Sequence, residues 1–318
     1  MTVEAIGVDL GGTKMSVGVV DEGREVTYRS TAPSIGLEQD ELIATLVREL
    51  DAARQARPEA AAIGLGIPCT IDQERGVAVM AVNLELAGVP IRDLVRERVG
   101  LPVVLDNDAN AAILAEHRFG AARGAENAVM LTIGTGIGGG LLIGGEVYRG
   151  SSGAGAELGH VVIEADGPPC QGNCPNRGCV EALASGTAIA REGLTAAQGA
   201  PDSHLGRALA AGVTLDGREV TDAALDGDPV AVGVLEKIGR RLGVALSSFA
   251  NTFDPDVIVI GGGAIRAGDL LLDPARDEMA DRALSPMRRT PVVGAELGPD
   301  AGMIGAATMA LELDREVA

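Results

Sequence analysis

A repeated glycine-rich pattern constrains the fold of this chain more than any other feature. Residues 5–21 read AIGVDLGGTKMSVGVVD, and residues 129–145 read VMLTIGTGIGGGLLIGG. In each segment, apolar residues alternate on both sides of a glycine turn, which predicts two β-strands joined by a tight turn. The stretch from Asp9 to Lys14 aligns with the stretch from Thr132 to Ile137 without a gap. The chain of 318 residues is therefore expected to contain two related halves.

Both predicted turns are suited to bind phosphate groups. Their glycines leave backbone N–H groups uncovered by side chains, and each turn adds a hydroxyl group. The first turn offers Gly11, Gly12 and Thr13 beside Asp9 and Lys14, and the second offers Thr132, Gly134, Thr135 and Gly136. Glycine turns are common, so either turn alone would be weak evidence for phosphate binding. The two turns together are stronger evidence.

A third glycine cluster follows the apolar run from Val257 to Ile260. Gly261, Gly262 and Gly263 end this predicted strand without the G-x-G-x-x-G spacing of a dinucleotide-binding turn. A strand that ends in glycines lets a flat ligand lie against the backbone. A tight turn from strand to helix explains the same residues equally well.

Three polar residues stand at a predicted strand-to-helix junction. Residues 101–120 read LPVVLDNDANAAILAEHRFG, which predicts a short strand followed by an alanine-rich helix. Asp106, Asn107 and Asp108 fall at the start of the helix, where Asp and Asn are favoured caps. Capping needs one of the three, so a catalytic or binding role is expected for another. Strand alternation is expected to turn the side chain of Asp106 away from a ligand.

The remaining segments predict an α/β protein of two domains. Helical patterns cover residues 38–57, 91–99, 186–211, 228–253 and 302–313, and they alternate with the predicted hairpins. No low-complexity linker divides the chain. We place the domain boundary at the Asp106 junction, which gives a small first domain of residues 1–107 with a returning helix at 300–318. Residues 108–299 then form the larger second domain.

A histidine and three cysteines are clustered in a chain that has only four cysteines and three histidines. His160, Cys170, Cys174 and Cys179 stand among glycines and prolines that favour tight turns. One imidazole and three thiolates form a closed tetrahedral set, which predicts a structural Zn²⁺ and leaves no open position for catalysis. Three incidental cysteines on a Gly/Pro loop are the alternative interpretation.

Composition and charge exclude several classes of protein. Apolar residues make up 46% of the chain, which indicates a globular and not a disordered protein. The formal net charge of −19, without any run of Lys or Arg, argues against a nucleic-acid partner. No apolar run reaches the length of a membrane span. The N-terminal residues lack the pattern of a secretory signal, so we expect a cytoplasmic protein with reduced thiols.

Six motifs together resemble the ROK family of sugar kinases and sugar-sensing repressors. They are DLGGTK, DNDANAA, TIGTGIGGG, GAELGH, NRGCVE and IGGG, in this order, and they span essentially the whole chain. The resemblance implies the two-domain, actin-like ATPase (ribonuclease H-like) fold, with ATP and a sugar in a cleft between the domains. The bacterial glucokinases of the family are the most similar, which implies transfer of phosphate from ATP to the 6-hydroxyl of glucose.

The resemblance also implies roles for individual residues. Asp108 falls on the catalytic base of the family, and Asn107, Glu157, His160 and Glu181 fall on residues that contact sugar hydroxyls, with Gly139 placed beside them. The two glycine turns are expected to bind the ATP phosphates, with Mg²⁺ held through water and helped by Asp9. Gly261 to Gly263 are expected to border the adenosine. The zinc ligands of the family fall on His160, Cys170, Cys174 and Cys179.

One motif departs from the family pattern. The family reads C-x-C-G-x-x-G-C-x-E, whereas this chain reads CQGNCPNRGCVE, with two extra residues between the first cysteines and Pro175 where Gly is usual. The loop is therefore expected to follow a different path, and Cys170 is the ligand that this difference affects most.

Other functions of the family stay open at this point. The acceptor could be N-acetylmannosamine, fructose, mannose or allose, and the donor could be polyphosphate. The repressors of the family carry an N-terminal helix-turn-helix domain, for which we expect no room before Ala5. A homodimer or homotetramer is the expected assembly.

Overall fold

The structure, a computed structural model, describes residues 3–81 and 84–317. Residues 1 and 2 of the predicted first domain, and Ala318 at the end of the predicted returning helix, lie outside the described residues. Within the described part of the chain, no helix is both long and apolar enough to cross a membrane.

The chain alternates strands and helices, as the sequence predicts. In chain order the elements are β1 (Glu4–Leu10), β2 (Lys14–Asp21), β3 (Val26–Pro33), α1 (Gln39–Ala56), β4 (Ala60–Ile67), β5 (Cys69–Asp72), β6 (Val77–Ala81), β7 (Ala87–Val89), α2 (Ile91–Val99), β8 (Val103–Asn107), α3 (Asp108–Phe119), β9 (Ala128–Ile133), β10 (Ile137–Ile143), β11 (Glu146–Val147), α4 (Val180–Ala184), α5 (Gly186–Gly199), α6 (His204–Ala210), α7 (Gly217–Leu225), α8 (Pro229–Phe253), β12 (Val257–Gly261), α9 (Asp269–Arg282), β13 (Val292–Gly294) and α10 (Ala301–Val317).

Two sheets repeat one arrangement of strands. The first has the spatial order β3-β2-β1-β4-β8, and the second has the order β11-β10-β9-β12-β13. In each, an antiparallel glycine hairpin is followed by parallel strands on one side. The predicted repeat of the two glycine hairpins is thus confirmed. A separate sheet of three short strands has the order β5-β6-β7.

The chain divides into two compact units. The first consists of residues 1–124, 147–156 and 297–318, and the second of residues 125–146 and 157–296. The first unit extends past the boundary that we predicted after residue 107 because α3 packs against α10. A side chain at Gly305 would meet the backbone of Ala111, so the two helices lie in close contact.

The sheet of the first unit is covered on both faces. On one face, α1 packs Leu42, Leu46 and Leu50 into an aliphatic core. On the other face, α10 packs alanines and Leu311 against Ala5 and Ala62. A side chain at Gly64 would overlap the backbone of Ala306, so β4 needs glycine where α10 crosses it. Small residues allow this close packing in a chain with few aromatic side chains.

One predicted helix is wrong. The helix predicted over 186–211 is two helices, α5 and α6, separated by residues 200–203. Pro201 lacks the N–H group that a continuous helix needs. Ser203 then caps the second helix, because its hydroxyl accepts a hydrogen bond of 2.9 Å from the Gly206 N–H. The sequence also missed α7 and α9.

A cluster of ion pairs around Glu192, which also includes the neighbouring Arg191, joins α5 to α8 in the second unit. The Glu192 carboxylate, which is 14% exposed, lies 2.7 Å from Lys237 Nζ and 2.8 Å from Arg241 Nη1. Burial raises the pKa of Glu192, but the hydrogen bonds and charges of Lys237 and Arg241 outweigh it and lower the pKa to about 2. The ionised carboxylate therefore stabilises the folded state.

Glu192→Gln is expected to lower the free energy of unfolding by about 1 kcal/mol at pH 7, because Arg191, Lys237 and Arg241 lose their charged partner. The pKa of Glu192 is lower in the folded state, so its contribution is complete above about pH 4.5 and is lost as the pH falls towards 2. Urea unfolding at pH 7 and pH 3 measures the difference between the two proteins. Glu236→Gln, in an exposed pair with Arg240, is the control. A difference that stays constant over this range would contradict the assignment.

Candidate active site

The first glycine turn and the Asn107–Asp108 pair lie at the same edge of the first sheet. Strands β1, β4 and β8 are parallel, with Asp9 opposite Gly66 and Asn107 opposite Ile67. Their carboxyl ends therefore meet at one edge, which is where ligands bind in open α/β sheets. The structure brings together the residues that the sequence predicts in this unit, which are Asp9, Gly11, Gly12, Thr13, Lys14, Asn107 and Asp108.

The Asp9 carboxyl is strongly affected by its surroundings. Burial and the nearby charge of Asp108 raise its pKa from 3.8 to about 7, against the opposing effect of Lys14. A divalent cation beside Asp9 would favour the ionised form. Two carboxyl groups that influence each other at a sheet edge form a site where a cation and a proton acceptor can work together.

The structure shows which of Asp106, Asn107 and Asp108 caps α3. Asn107 is the N-cap, because its Oδ1 accepts from the N–H groups of Ala109 at 2.9 Å and Asn110 at 3.3 Å. Asp108 follows as the first helical residue, and its Oδ1 accepts from the Ala109 N–H at 2.9 Å. Asp108 therefore lies at the positive end of the helix dipole.

The first glycine turn is fixed by a residue that the sequence did not point to. The buried Ser34 hydroxyl donates to Gly11 O at 2.5 Å, and the Ser34 N–H donates to Thr13 O at 3.1 Å. The carbonyl groups of the turn are therefore engaged from one side. No sequence motif marks Ser34, since it follows β3 and contacts the turn only through the folded sheet.

The second glycine turn has the same position in the second unit. β9 and β12 are parallel, with Gly261 opposite Thr132, so Gly134–Gly136 follow the end of β9 and Gly261–Gly263 lie at the end of β12, at the same edge. A side chain added at Gly134 would meet no protein atom within 4 Å, so the space beside it is open to a ligand. Gly262 has a φ of +83°, and its backbone lies against that of Ile133, which requires glycine.

Hydrogen bonds from other segments hold this second turn in place. Gly134 O accepts from the Gly186 N–H at 2.8 Å, and Thr135 O accepts from the Thr187 hydroxyl at 2.9 Å. Gln171, in the cysteine loop, donates from Nε2 to Thr135 O at 3.1 Å. Thr187 and Gln171 were missed by the sequence interpretation, because nothing in their local pattern predicts these contacts.

The predicted zinc ligands come together. One ligand atom from each of His160, Cys170, Cys174 and Cys179 lies within 4.8 Å of all the others. Cys170 Sγ is 3.6 Å from His160 Nδ1, and Cys174 Sγ is 3.9 Å from Cys179 Sγ. Tetrahedral zinc with ordinary bond lengths requires separations of about 3.6 Å for sulfur and nitrogen and about 3.8 Å for two sulfurs. The donor set and its spacing therefore fit Zn²⁺.

The backbone of the cysteine loop holds this arrangement. Cys179 forms an isolated β-bridge with Val162, and Pro169 forms one with Arg177. The Cys170 N–H donates to Asn176 O at 2.9 Å, so the longer segment between the first cysteines closes as a turn. Cys170 thus stays in the cluster despite the two extra residues.

Burial affects the thiols and carboxyl groups beside this cluster. Burial and the neighbouring thiols raise the pKa of Cys170, and Zn²⁺ binding has the opposite effect because it stabilises thiolates. Burial also raises the pKa of Glu157, with a smaller opposing effect from His160 and a further rise from Glu181. The His160 N–H donates to Glu157 O at 3.0 Å, and Cys170 Sγ lies 3.6 Å from both His160 Nδ1 and Glu181 Oε1, so the three residues lie close together.

Glu181 joins the cluster to the second glycine hairpin. Its Oε2 accepts from the Ile137 N–H at 2.8 Å, at the start of β10, and its Oε1 lies 3.6 Å from Cys170 Sγ. The neighbouring Gly139 lies inside β10, paired with Leu131. The second unit thus presents two carboxylates and an imidazole, a set that can bind several hydroxyl groups through directional hydrogen bonds.

A sequence pattern of the ROK family matches residues 5–313. The chain belongs to the ROK family. It is 38% identical to the glucokinase of Thermotoga maritima over 98% of each chain. A ROK family glucokinase from Streptomyces griseus, whose crystal structure is in complex with glucose and AMPPNP, is 35% identical in sequence to this chain. The two structures have a TM-score of 0.87, and the match covers 97% of this chain and 99% of that one.

A repressor is also similar to this chain. A putative xylose repressor from Caldicellulosiruptor sp. is 33% identical over 87% of this chain and 70% of the repressor. The duplicated sheets and the similarity to ROK kinases establish the two-domain actin-like sugar kinase fold that the sequence predicts.

Proposed function

We propose that this ROK protein is a glucokinase, which transfers the γ-phosphate of ATP to the 6-hydroxyl of glucose. The observation that carries the proposal is the position of Asp108, as the first residue of α3 and beside Asp9 at the carboxyl edge of the sheet. Similarity to glucokinases over nearly the full length supports the same function.

Asp108 orients the glucose 6-hydroxyl and accepts its proton. Phosphoryl transfer has a loose transition state, in which the hydroxyl proton leaves late and positioning matters more than basicity. A carboxylate at a helix N-terminus is a weak base, but it is a well-placed charged acceptor. Asp108 therefore acts chiefly through orientation, with proton transfer completed as the new bond forms.

The glycine turns bind the donor. Backbone N–H groups of Gly11–Thr13 and of Gly134–Gly136 contact the phosphates, and Gly261–Gly263 border the adenosine. The Lys14 and Thr132 side chains, one at each hairpin, contribute a charge and a hydroxyl. Asp9 would hold, through water, the Mg²⁺ that comes with ATP, and this cation would neutralise phosphate charge. The raised pKa of Asp9 supports this role, because burial without a cation disfavours its ionised form.

The sugar is held by side chains of both chemical kinds, acceptors and donors. Glu157 and Glu181 accept from hydroxyl groups, the Asn107 amide donates, and Gly139 lets the sugar approach the β10 backbone. His160 Nδ1 faces the cysteines, so Nε2 is the atom that contacts a hydroxyl. His160, Cys170, Cys174 and Cys179 would hold a structural Zn²⁺, which would fix the orientation of the imidazole ring.

A coupled kinase assay over a panel of sugars and donors tests the proposed function. Glucose with ATP is expected to give the highest kcat/KM among glucose, N-acetylmannosamine, fructose, mannose and allose, with ATP preferred to polyphosphate. Faster turnover of another sugar would reassign the substrate. Binding of a sugar without turnover would favour a sensor, as in the repressors of the family. Light scattering of the same protein tests the predicted dimer or tetramer.

Gly134→Val is expected to raise the KM for ATP much more than the KM for glucose, because its side chain would occupy the open space through which the phosphates approach the backbone. Initial rates with each substrate varied measure both constants. Gly199→Val is the matched control, since a side chain there also meets no protein atom but lies at the end of α5. Equal increases in both KM values would indicate that the turn serves folding only.

A further inference from the structure

The buried carboxylate of Asp106 connects four parts of the first unit. Its Oδ1 accepts from the Asn107 N–H at 2.8 Å and from Asn110 Nδ2 at 2.9 Å, on either side of Asp108. Gln73, between β5 and β6, reaches the same oxygen at 3.4 Å. Asp106 Oδ2 accepts from Arg149 Nε at 2.6 Å. Asp106 is thus a shared acceptor for the backbone and side chains around the start of α3.

Arg149 stands on a segment that leads directly to the proposed sugar ligands. Residues 147–156 pack with the first unit and are followed in the chain by Glu157 and His160. The Arg149 guanidinium also donates from Nη1 to Val147 O at 3.3 Å, so it binds Asp106 and the start of its own segment at once. Further along, Gly153 lies against the backbone of Ile71 in β5, where a larger residue would not fit.

The Asp106–Arg149 ion pair is better suited to fixing geometry than to adding stability. Asp106 is 2% exposed and Arg149 is 40% exposed, so the carboxylate gives up its hydration to bind a half-exposed cation. A buried ion pair of this kind adds little stability over a well-packed apolar pair, whereas its directional contacts fix geometry. The groups that it fixes are the N–H of Asn107 and the amide of Asn110, which flank Asp108.

We infer that Asp106 and Arg149 are positioning residues that hold the start of α3 and the segment of residues 147–156 in the arrangement needed to bind sugar. The inference rests on the proposed function, because sugar binding is its readout. Arg149 acts through Asp106 and through its own segment, and neither side chain is assigned to contact the reacting atoms. The guanidinium is suited to this role, since it offers several donors in a fixed plane.

Arg149→Met tests the inference because it removes the cation and keeps an apolar stem of similar length. The matched control is Arg57→Met, since Arg57 covers the Glu4 carboxylate with nearly the same exposures, 41% and 6%, far along the sheet from Asp108. We expect Arg149→Met to raise the KM for glucose by about 10- to 100-fold, with the KM for ATP changed by less than about 2-fold. Arg149→Lys is expected to recover part of the glucose affinity.

The control decides between positioning and stability. If both Met variants lower the Tm similarly and only Arg149→Met raises the KM for glucose, the inference holds. If the two variants have the same kinetics, Arg149 is a stabilising residue only and the inference is overturned.

Hydrogen exchange separates this test from the test of the proposed function. Amides of residues 107–110 and 147–156 are expected to lose protection in Arg149→Met and to keep it in Arg57→Met, measured without substrates. Unchanged protection at these amides would overturn the inference. A wild-type protein that neither binds nor phosphorylates glucose would overturn the proposed function, and the exchange result would then decide the positioning role alone.

Discussion

Asp108→Asn is expected to lower kcat for glucose by about 100- to 10,000-fold, the usual contribution of a general base. The Asn oxygen can still accept from the Ala109 N–H, and Asn107 is the N-cap, so α3 keeps its start. The change therefore removes a charged acceptor at the reacting hydroxyl without loss of the fold. We expect the Tm to stay nearly constant and the KM for glucose to rise only modestly. Steady-state kinetics and thermal unfolding measure the three quantities.

Asp216→Asn is the control for this variant. Asp216 caps α7 through hydrogen bonds of 2.8 and 2.9 Å from two backbone N–H groups, and Asn caps a helix as well as Asp. Its kinetics are expected to match those of the wild-type protein. A fully active Asp108→Asn enzyme would show that Asp108 is not the base, whatever the family similarity.

Loss of the zinc cluster is the second large effect. Purified protein is expected to contain about one zinc per chain, and Cys179→Ala is expected to lose it and to lower kcat/KM for glucose by about 100-fold or more. Cys179 is fully buried and precedes α4, whose first turn carries Glu181. A disordered loop would displace Glu181 and His160 together. The KM for ATP is expected to change little.

Elemental analysis and kinetics of two further variants check the assignment. Cys69→Ala should retain its zinc, because Cys69 is the cysteine outside the cluster. Cys170→Ser should lose zinc as Cys179→Ala does, since its sulfur lies beside His160 Nδ1. Wild-type protein without zinc and with full activity would contradict a zinc role.

The sequence predicts those features that depend on local pattern. Alternating apolar residues around glycine specify both hairpins, and the position of Asn107 between a strand and an alanine-rich helix specifies a cap. The break at Pro201 is a local signal as well, because a proline within a helical pattern ends the helix. The position of Cys170 in the cluster depends on how the longer turn closes, which spacing alone does not determine.

The contacts around the site depend on the whole fold. Arg149 is 43 residues from Asp106, and Gln73 is 33 residues from it, so no window of sequence contains the network. Strand alternation predicts that the Asp106 side chain points away from a ligand, and hence that Asp106 has a minor role. The structure shows instead that Asp106 organises the groups on either side of Asp108.

The packing of α10 on β1 and β4 has a consequence for how the protein is made. α10 leaves the ribosome after all the other elements described above, yet it covers one face of the sheet that is made before the second sheet. Until then, Ala5 and Ala62 lack the helix that buries them, whereas every residue of the second unit has already been synthesised. Of the two units, the first begins to be synthesised before the second, but it completes its core after the second.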